Sequence, residues 1–427
     1  MKHFFILFLI VTIISCNNDT VIEQVTNPED YNLFLYSSNQ NSFDRALFEK
    51  EFWSKRLRPD STGVGDLGPL ANAYTLLFDT TGDIGYLISA EKILKKAVSV
   101  SATSKDAYTR SLAQNYISQH RFKEAKQILE ISYKGISNKR ATQLLLFDVF
   151  LELGEYDKAN KVLGKLENTN DYNYLIRLAK WNDYNGNLDA AIRNLEDAKK
   201  IADSRKSKAL QIWANTNLAD YYGHAGRIKE SYDLYIESLK LQEDNAYAKK
   251  QIAWITYSYE KNLDEASRIL DSVMTNHIAP EYYLLKAELS EFNETPLDTE
   301  KYRKDFIASI NNGQYGLMYS NQLIEFYATE NPEKALEIAN AEIKNRETPE
   351  VYSLLAYAQL KAGNKSKALE IILNFVEGKT FEPKSLYFSA LIYKENKRRD
   401  KVDEIKSELQ DSFFELGPIY IKKIRDL

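Results

Sequence analysis

The sequence predicts an all-α protein and, within that class, an α-solenoid, on three observations. Apolar residues recur three and four apart on both sides of short polar breaks. Leu112, Ala113 and Tyr116 precede His120-Arg121, and Phe122, Ala125 and Leu129 follow, the spacing of two helices packed face to face. The composition is helical: 44% hydrophobic and 27% charged, with only 16 Gly and 9 Pro in 427 residues, leaves little turn-rich material. Compact domains seldom exceed ~250–300 residues around one core, so this length requires several domains or an array of repeats. The recurring frame selects the array.

The elements follow in order. Residues 1–15 have a basic start at Lys2 and an apolar core over 4–14, then Ile13-Ile14-Ser15-Cys16. Eleven apolar residues are too few for a bilayer that needs ~20, so this is a secretory leader. Cys16 is the only cysteine of the chain and stands at the cleavage point. The combination resembles a bacterial lipoprotein signal. That resemblance implies cleavage before Cys16, diacylglycerol on its thiol, an acyl group on its new amine, and attachment in the envelope of a Gram-negative bacterium, at the outer membrane. Two or more acyl chains hold a protein on a membrane where one does not. A single cysteine forms no internal disulfide.

Residues 17–28 read as a polar tether. Leu47, Phe48, Phe52 and Leu57 predict an amphipathic helix over 43–57 that covers the open end of a solenoid. The Gly-rich stretch 59–69 lacks the Gly-Lys-Ser/Thr ending of a phosphate-binding loop and reads as a linker. The leader thus spans 1–15, the acylated cysteine with tether and capping segment 16–65, the solenoid 66–410 and a C-terminal capping helix 411–427.

Small residues mark the second helix of each pair: Ala90, Ala125, Ala159, Ala191, Ser231, Ala266, Ala335, Ala368 and Val402, at intervals of 35, 34, 32, 40, 35, 69, 33 and 34. The 69 is two periods, with Glu300 in the missing place. The 40 assigns a few extra residues to a loop around 203–208. Thirteen and twelve residues before the small one stand Leu112-Ala113, Leu178-Ala179, Leu218-Ala219 and Leu355-Ala356. Nine before it stand Tyr116, Phe150, Tyr222, Tyr257, Phe326 and Tyr393. Gly154, Gly186, Gly226 and Gly363 each fall five before it. This pattern resembles the tetratricopeptide repeat, a 34-residue helix pair. The resemblance implies a right-handed superhelix of about ten such pairs with capping helices at its ends. Phe147 and Lys406 depart from the pattern, standing where a small and a large apolar residue belong.

Chemistry finds no constellation. His120, His224 and His277 lie far apart without ligand spacing, so no zinc site is expected. Asp79-Thr80-Thr81-Gly82-Asp83 lacks the sixth-place Gly and twelfth-place acid of a calcium loop. No nucleophile elbow is present. A net charge of −5, about −6 without the leader, is no match for phosphates, so nucleic acid is excluded as a partner. The expectation is a non-enzyme with no cofactor and no metal.

In the tetratricopeptide family, residues of the first helix that flank the packing positions line the concave face. The matching places hold Gln114, Asp148, Lys180, Tyr184, Trp213, Asp220, His224, Gln251, Tyr259, Tyr327 and Tyr357. Rings among polar groups suit recognition, and the chain carries 29 Tyr. The resemblance thus implies an envelope scaffold that binds a protein or peptide partner, with Trp213 as the anchor. The alternative is a nutrient- or glycan-binding envelope lipoprotein built on the same repeats.

Overall fold

The computed structural model describes residues 24–36, 41–57, 64–135, 138–311 and 313–427. Cys16, the leader and most of the tether lie outside the described residues. Among those described, α1 (Pro28–Tyr36) and α2 (Asn41–Arg56) precede ten helix pairs. The pairs are α3 (Val64–Thr81) with α4 (Ile84–Val100), α5 (Lys105–Ser118) with α6 (Phe122–Lys134), α7 (Lys139–Glu152) with α8 (Tyr156–Lys165), and α9 (Tyr172–Tyr184) with α10 (Leu188–Ser204). Next come α11 (Lys208–His224) with α12 (Ile228–Leu241), α13 (Ala246–Ser258) with α14 (Leu263–Met274), and α15 (Glu281–Phe292) with α16 (Pro296–Ile310). The last are α17 (Ser320–Glu330) with α18 (Pro332–Asn345), α19 (Pro349–Lys361) with α20 (Lys365–Phe375), and α21 (Pro383–Glu395) with α22 (Arg399–Glu408). A 3₁₀ turn, Leu409–Ser412, leads into α23 (Phe413–Arg425). The all-α solenoid is the observed fold, the two helices of each pair packing on each other and nearly every pair on the next.

One local device builds nine of the ten pairs, all but α17 with α18, where Asn331 at φ −153° leads straight into Pro332. The first helix ends in a left-handed residue, the chain reverses, and the second helix starts two residues on. Gly154, Gly186, Gly226 and Gly363 hold this conformation, and so do the non-glycines His120, Lys261, Glu294 and Lys397. Ala125, Ala159, Ala191, Ala266 and Ala368, each five residues after a left-handed one, are all buried, because a methyl-sized side chain lets the two helices close on each other. Asparagine side chains close several turns, as Asn187, Asn262 and Asn331 accept from the N–H three residues on.

This device corrects the register in one repeat. Thr299, five after the left-handed Glu294, is the buried small residue. Glu300 is exposed and pairs with Lys304. Leu297, three residues before Glu300, is 87% exposed. Ile405 and Leu409, not Lys406, fill the apolar places of the last repeat. The extra residues before Ser231 do not form a loop. Ala198 and Ala202 are buried four apart and carry α10 on to Ser204, so the insertion lengthens α10 and α11. The expected linker 59–69 is also shorter than read: 64–69 already belong to α3, where Gly68 admits the Tyr108 ring and Leu67 and Leu70 are buried.

Val25 and Thr26, within the expected tether 17–28, are bound to the folded body. The N–H groups of Val25 and Thr26 donate to Glu260 at 2.7 and 2.6 Å. Helix α1 then docks on α12 and α14, the second helices of the fifth and sixth pairs. Helix α2 caps α3 as expected.

The C-terminal end departs furthest from expectation. Helix α23 does not merely close the last pair, for it folds back along α11, α13, α15 and α21, all first helices of their pairs. The Trp254 indole and Ser258 hydroxyl both donate to the Phe414 carbonyl, at 3.2 and 2.6 Å. The Tyr420 hydroxyl donates to Glu325 at 3.2 Å, and Lys423 lies 3.5 Å from Glu291. Gly417, at φ +77°, kinks the helix where a Cβ would meet Trp254 and Glu288.

The solenoid also closes on itself. The Ile278 N–H donates to the Thr81 carbonyl at 2.7 Å. The turn before α6 meets the link from α18 to α19 through Arg346 over Phe122. Gly154 abuts the Glu347 carbonyl, Gly186 the Phe381 ring and Gly223 the Phe414 ring. Turns of the first four pairs therefore rest against links of the last five, and the end of α11 rests against α23.

A chamber inside the solenoid as the candidate functional site

Where the two halves meet, the first helices enclose a chamber of about 710 Å³. Its wall comes from α7, α9, α17, α19 and α21, the turns of the third and fourth pairs, and the segment running into α23. Eight carboxylates face the space: Glu152, Asp183, Glu325, Glu350, Glu382, Glu408, Asp411 and Glu415. Lys180, Arg346 and Lys384 are the opposing cations, with His224 beside them. Acids outnumber bases, so some carboxylates are left without a cation.

That imbalance shows in their proton affinity. Glu382 is pushed up to about 7, first by the protein around it and then by Glu415 and Glu350. Its side chain is exposed to the chamber, and the protein packed around that space is what raises it. Asp183 and Glu415 are raised mainly by the same enclosure, and His224 pulls both back. Burial also raises Glu152, against Arg346 and Lys180. Lys384 is opposed by burial, but Glu325 at 3.0 Å holds its ammonium charged. Arg346 spans Glu342 at 2.6 Å and Glu152 at 3.4 Å. The Thr380 hydroxyl donates to Glu350 at 2.6 Å.

Aromatic rings complete the wall. Tyr156 and Tyr184 stack with centroids 4.2 Å apart, and Trp181 tilts against Tyr184 at 5.6 Å. Phe381 and Phe388 also line the space. A volume of this size is that of a small-molecule or side-chain pocket. Chemically the chamber offers hydrogen-bond acceptors, ring faces and an excess of negative charge.

Of the residues expected on a concave groove, the structure brings Lys180, Tyr184 and His224 to this chamber. Asp148 pairs with Arg177 at 2.6 Å. Asp220 accepts hydrogen bonds from Tyr235, Tyr247 and Gln251. Trp213 is half-buried against two apolar cores, edge-on to Tyr172 at 6.0 Å, and Tyr259 packs against one of them. Tyr327 takes Lys334 over its ring at 3.8 Å, and Tyr357 stacks on Phe388 at 4.5 Å. Gln114 is exposed. Trp213 is thus a packing residue, and the middle of the concave face is taken by α23.

The tyrosines have a structural use that the periodicity did not show. Their hydroxyls donate to carboxylates one helix pair away: Tyr222 to Glu196 at 2.8 Å, Tyr257 to Glu288 at 3.0 Å and Tyr319 to Glu281 at 2.7 Å. Each ring packs while its hydroxyl is satisfied, which ties neighbouring repeats.

Sequence reasoning missed Phe381, Glu382, Lys384, Glu325 and Glu415. They come from a link, from the outer positions of two helices and from the C-terminal segment, and no spacing relates them. The remaining histidines pack locally: His120 stacks on Phe122 at 5.4 Å and His277 bonds the Tyr282 hydroxyl at 2.9 Å. Among the described residues no group of three or more His, Cys, Asp or Glu is arranged to hold a metal ion.

No family model matches the sequence. No curated protein matches it either. Among solved structures, the chain is similar to yeast Tom70, with a TM-score of 0.41 and 13% identity over 86% of this chain and 92% of that one. It is also similar to a signal transduction ATPase with numerous domains, with a tetratricopeptide repeat sensor, from Pyrococcus horikoshii, with a TM-score of 0.37 and 16% identity over 86% of this chain and 55% of that one. Ten helix pairs, nine of them turned at a left-handed residue, make the described part of this chain an all-α solenoid of tetratricopeptide-like repeats.

Proposed function

We propose that this chain is a binding scaffold anchored by acylated Cys16 in the envelope of a Gram-negative bacterium, at the outer membrane, and that its chamber holds a segment of a protein or peptide partner. The observation that carries the reading is the chamber itself, with ring faces and uncompensated carboxylates inside a rigid repeat wall. Enclosed carboxylates favour a cationic side chain, which regains on binding the opposite charge they lack. Anchoring is supported by the Ile13-Ile14-Ser15-Cys16 sequence. Among the described residues no helix is long and apolar enough to cross a membrane.

A second reading is a glycan or other small nutrient. The stacked Tyr156–Tyr184 pair beside Glu350 and Thr380 favours it, since sugar rings lie on aromatic faces with acceptors at their edges.

Two experiments test these readings. Cys16→Ala is expected to abolish incorporation of a labelled fatty acid and release the chain from membranes; label retained on the variant would refute anchoring. A photo-crosslinking residue at Tyr184 is expected to capture a peptide whose adduct disappears when Lys384 and Phe381 are replaced by Ala. A glycan adduct at the same position would select the second reading. No chamber-dependent adduct would end both.

A further inference from the structure

Helix α2 packs on α3 through one side only. Ala46 is fully buried, and Leu47 and Trp53 are partly covered. The opposite stripe, Asp44, Arg45, Phe48, Glu51, Phe52, Lys55 and Arg56, is exposed along its whole length. At its centre Phe48 is 69% and Phe52 44% exposed, with their rings stacked at 6.4 Å. Trp53 stands edge-on to Phe52 at 5.0 Å, and the Arg56 guanidinium lies 5.6 Å from the Phe52 ring. Two adjacent phenylalanines facing water do nothing for the packing of α2, whose other side already covers the array.

We propose that this stripe lies in the interfacial layer of the bilayer to which the chain is anchored, an inference that rests on Cys16 being acylated. Chain length selects the bilayer over other partners. Gln24 is eight residues beyond Cys16, and eight residues in any conformation span at most about 28 Å. Val25 and Thr26 are fixed to Glu260, so that reach is measured from the folded body itself. Composition points the same way. Of the eleven large hydrophobic side chains exposed among the described residues, Leu33, Tyr36, Phe48 and Phe52 all belong to α1 and α2. Four of the eleven thus fall in the two helices nearest Cys16 along the chain.

The chemistry fits a headgroup boundary. Phenylalanine rings enter the acyl edge while Arg45, Lys55 and Arg56 reach anionic headgroups from either end of the stripe. The contact would orient the solenoid on the bilayer, which acyl chains by themselves do not.

The test uses the acylated full chain in vesicles of phosphatidylethanolamine and phosphatidylglycerol. An environment-sensitive dye is placed at Phe48→Cys, or at Ile131→Cys on α6 as the comparison. The expected result is a blue shift at position 48 that nitroxide-labelled lipids quench, with neither effect at position 131. A water-like spectrum at 48, on chain whose Cys16 carries fatty acid, overturns the docking and leaves anchoring intact. A blue shift that labelled lipids do not quench also overturns it, since protein, such as a second copy, would then cover the stripe. If Cys16 takes no fatty acid, anchoring fails separately, and flotation of the unacylated chain decides. Phe48→Ala/Phe52→Ala is then expected to lower partitioning at least about tenfold, the factor for burying one phenylalanine. Unchanged flotation would overturn the proposal.

Discussion

At the scale of single residues, the fold depends on two small sites per repeat, and both can be tested by size. Ala125 and Ala368 are fully buried where two helices touch, so either changed to Phe should cost ~1–3 kcal/mol by overpacking. Thr299→Phe should cost a similar amount, whereas Glu300→Ala should stay within about 0.5 kcal/mol because that side chain faces solvent. Denaturant titration reads all four, and a Phe tolerated at 299 together with a stabilising Ala at 300 would restore the register first expected. The left-handed turns give a second comparison. Gly363 sits at φ +84° with nothing near a built Cβ, so Gly363→Ala should cost only the ~1–2 kcal/mol of the left-handed conformation. At Gly154 the same methyl would lie 2.4 Å from the Glu347 carbonyl, so Gly154→Ala should cost clearly more.

At the scale of elements, α23 makes the inner face polar and pH-dependent. Glu288 on α15 lies against its kink and is pushed up to about 7, chiefly by burial, with the Tyr257 hydroxyl, Lys384 and Lys423 opposing. Its proton is held more tightly folded than unfolded. The stabilisation is therefore full below about 4.5, the ordinary glutamate value, and is lost as pH rises through about 7. Glu288→Gln keeps the hydrogen bond from Tyr257 and removes the charge. Relative to the wild type, the variant should gain on the order of 1–3 kcal/mol between pH 5 and pH 8. Melting temperatures across that range check the sign. A variant that loses stability relative to wild type as pH rises would show that the carboxylate is needed in its charged form.

At the scale of the whole molecule, closure of the solenoid depends on a few side chains between its two halves. Arg346 is the clearest: it neutralises Glu342, which is 1% exposed, reaches Glu152 and covers the Phe122 ring. Arg346→Ala leaves the buried Glu342 carboxylate without its cation, a change that typically costs ~3–5 kcal/mol. It should also loosen the contact between halves, so small-angle scattering should show a larger radius of gyration while helix content measured by circular dichroism stays constant. Unchanged dimensions would mean that the remaining turn-to-link contacts hold the closure by themselves.

The local architecture was legible in the sequence because it is written in residues close together along the chain. Helix pairs, the small residue, the Leu-Ala pairs and the aromatic nine places earlier all follow from packing between neighbours, and the periodicity reports that packing directly. Where the count slipped, as at Glu300, the competing signal was the turn, since a left-handed Glu294 does the work that glycine does elsewhere. Cys16 and its expected acylation are likewise a reading of the sequence, outside the described residues. The return of α23, the docking of α1 on α12 and α14, and the meeting of Lys180, Tyr184 and His224 with Glu382, Lys384 and Glu415 were decided by tertiary structure alone. The reason is physical. A repeat's sequence specifies its contact with the next repeat, but small rotations between repeats accumulate, and only their sum over ten pairs determines which distant turns meet and which side chains face the space between them.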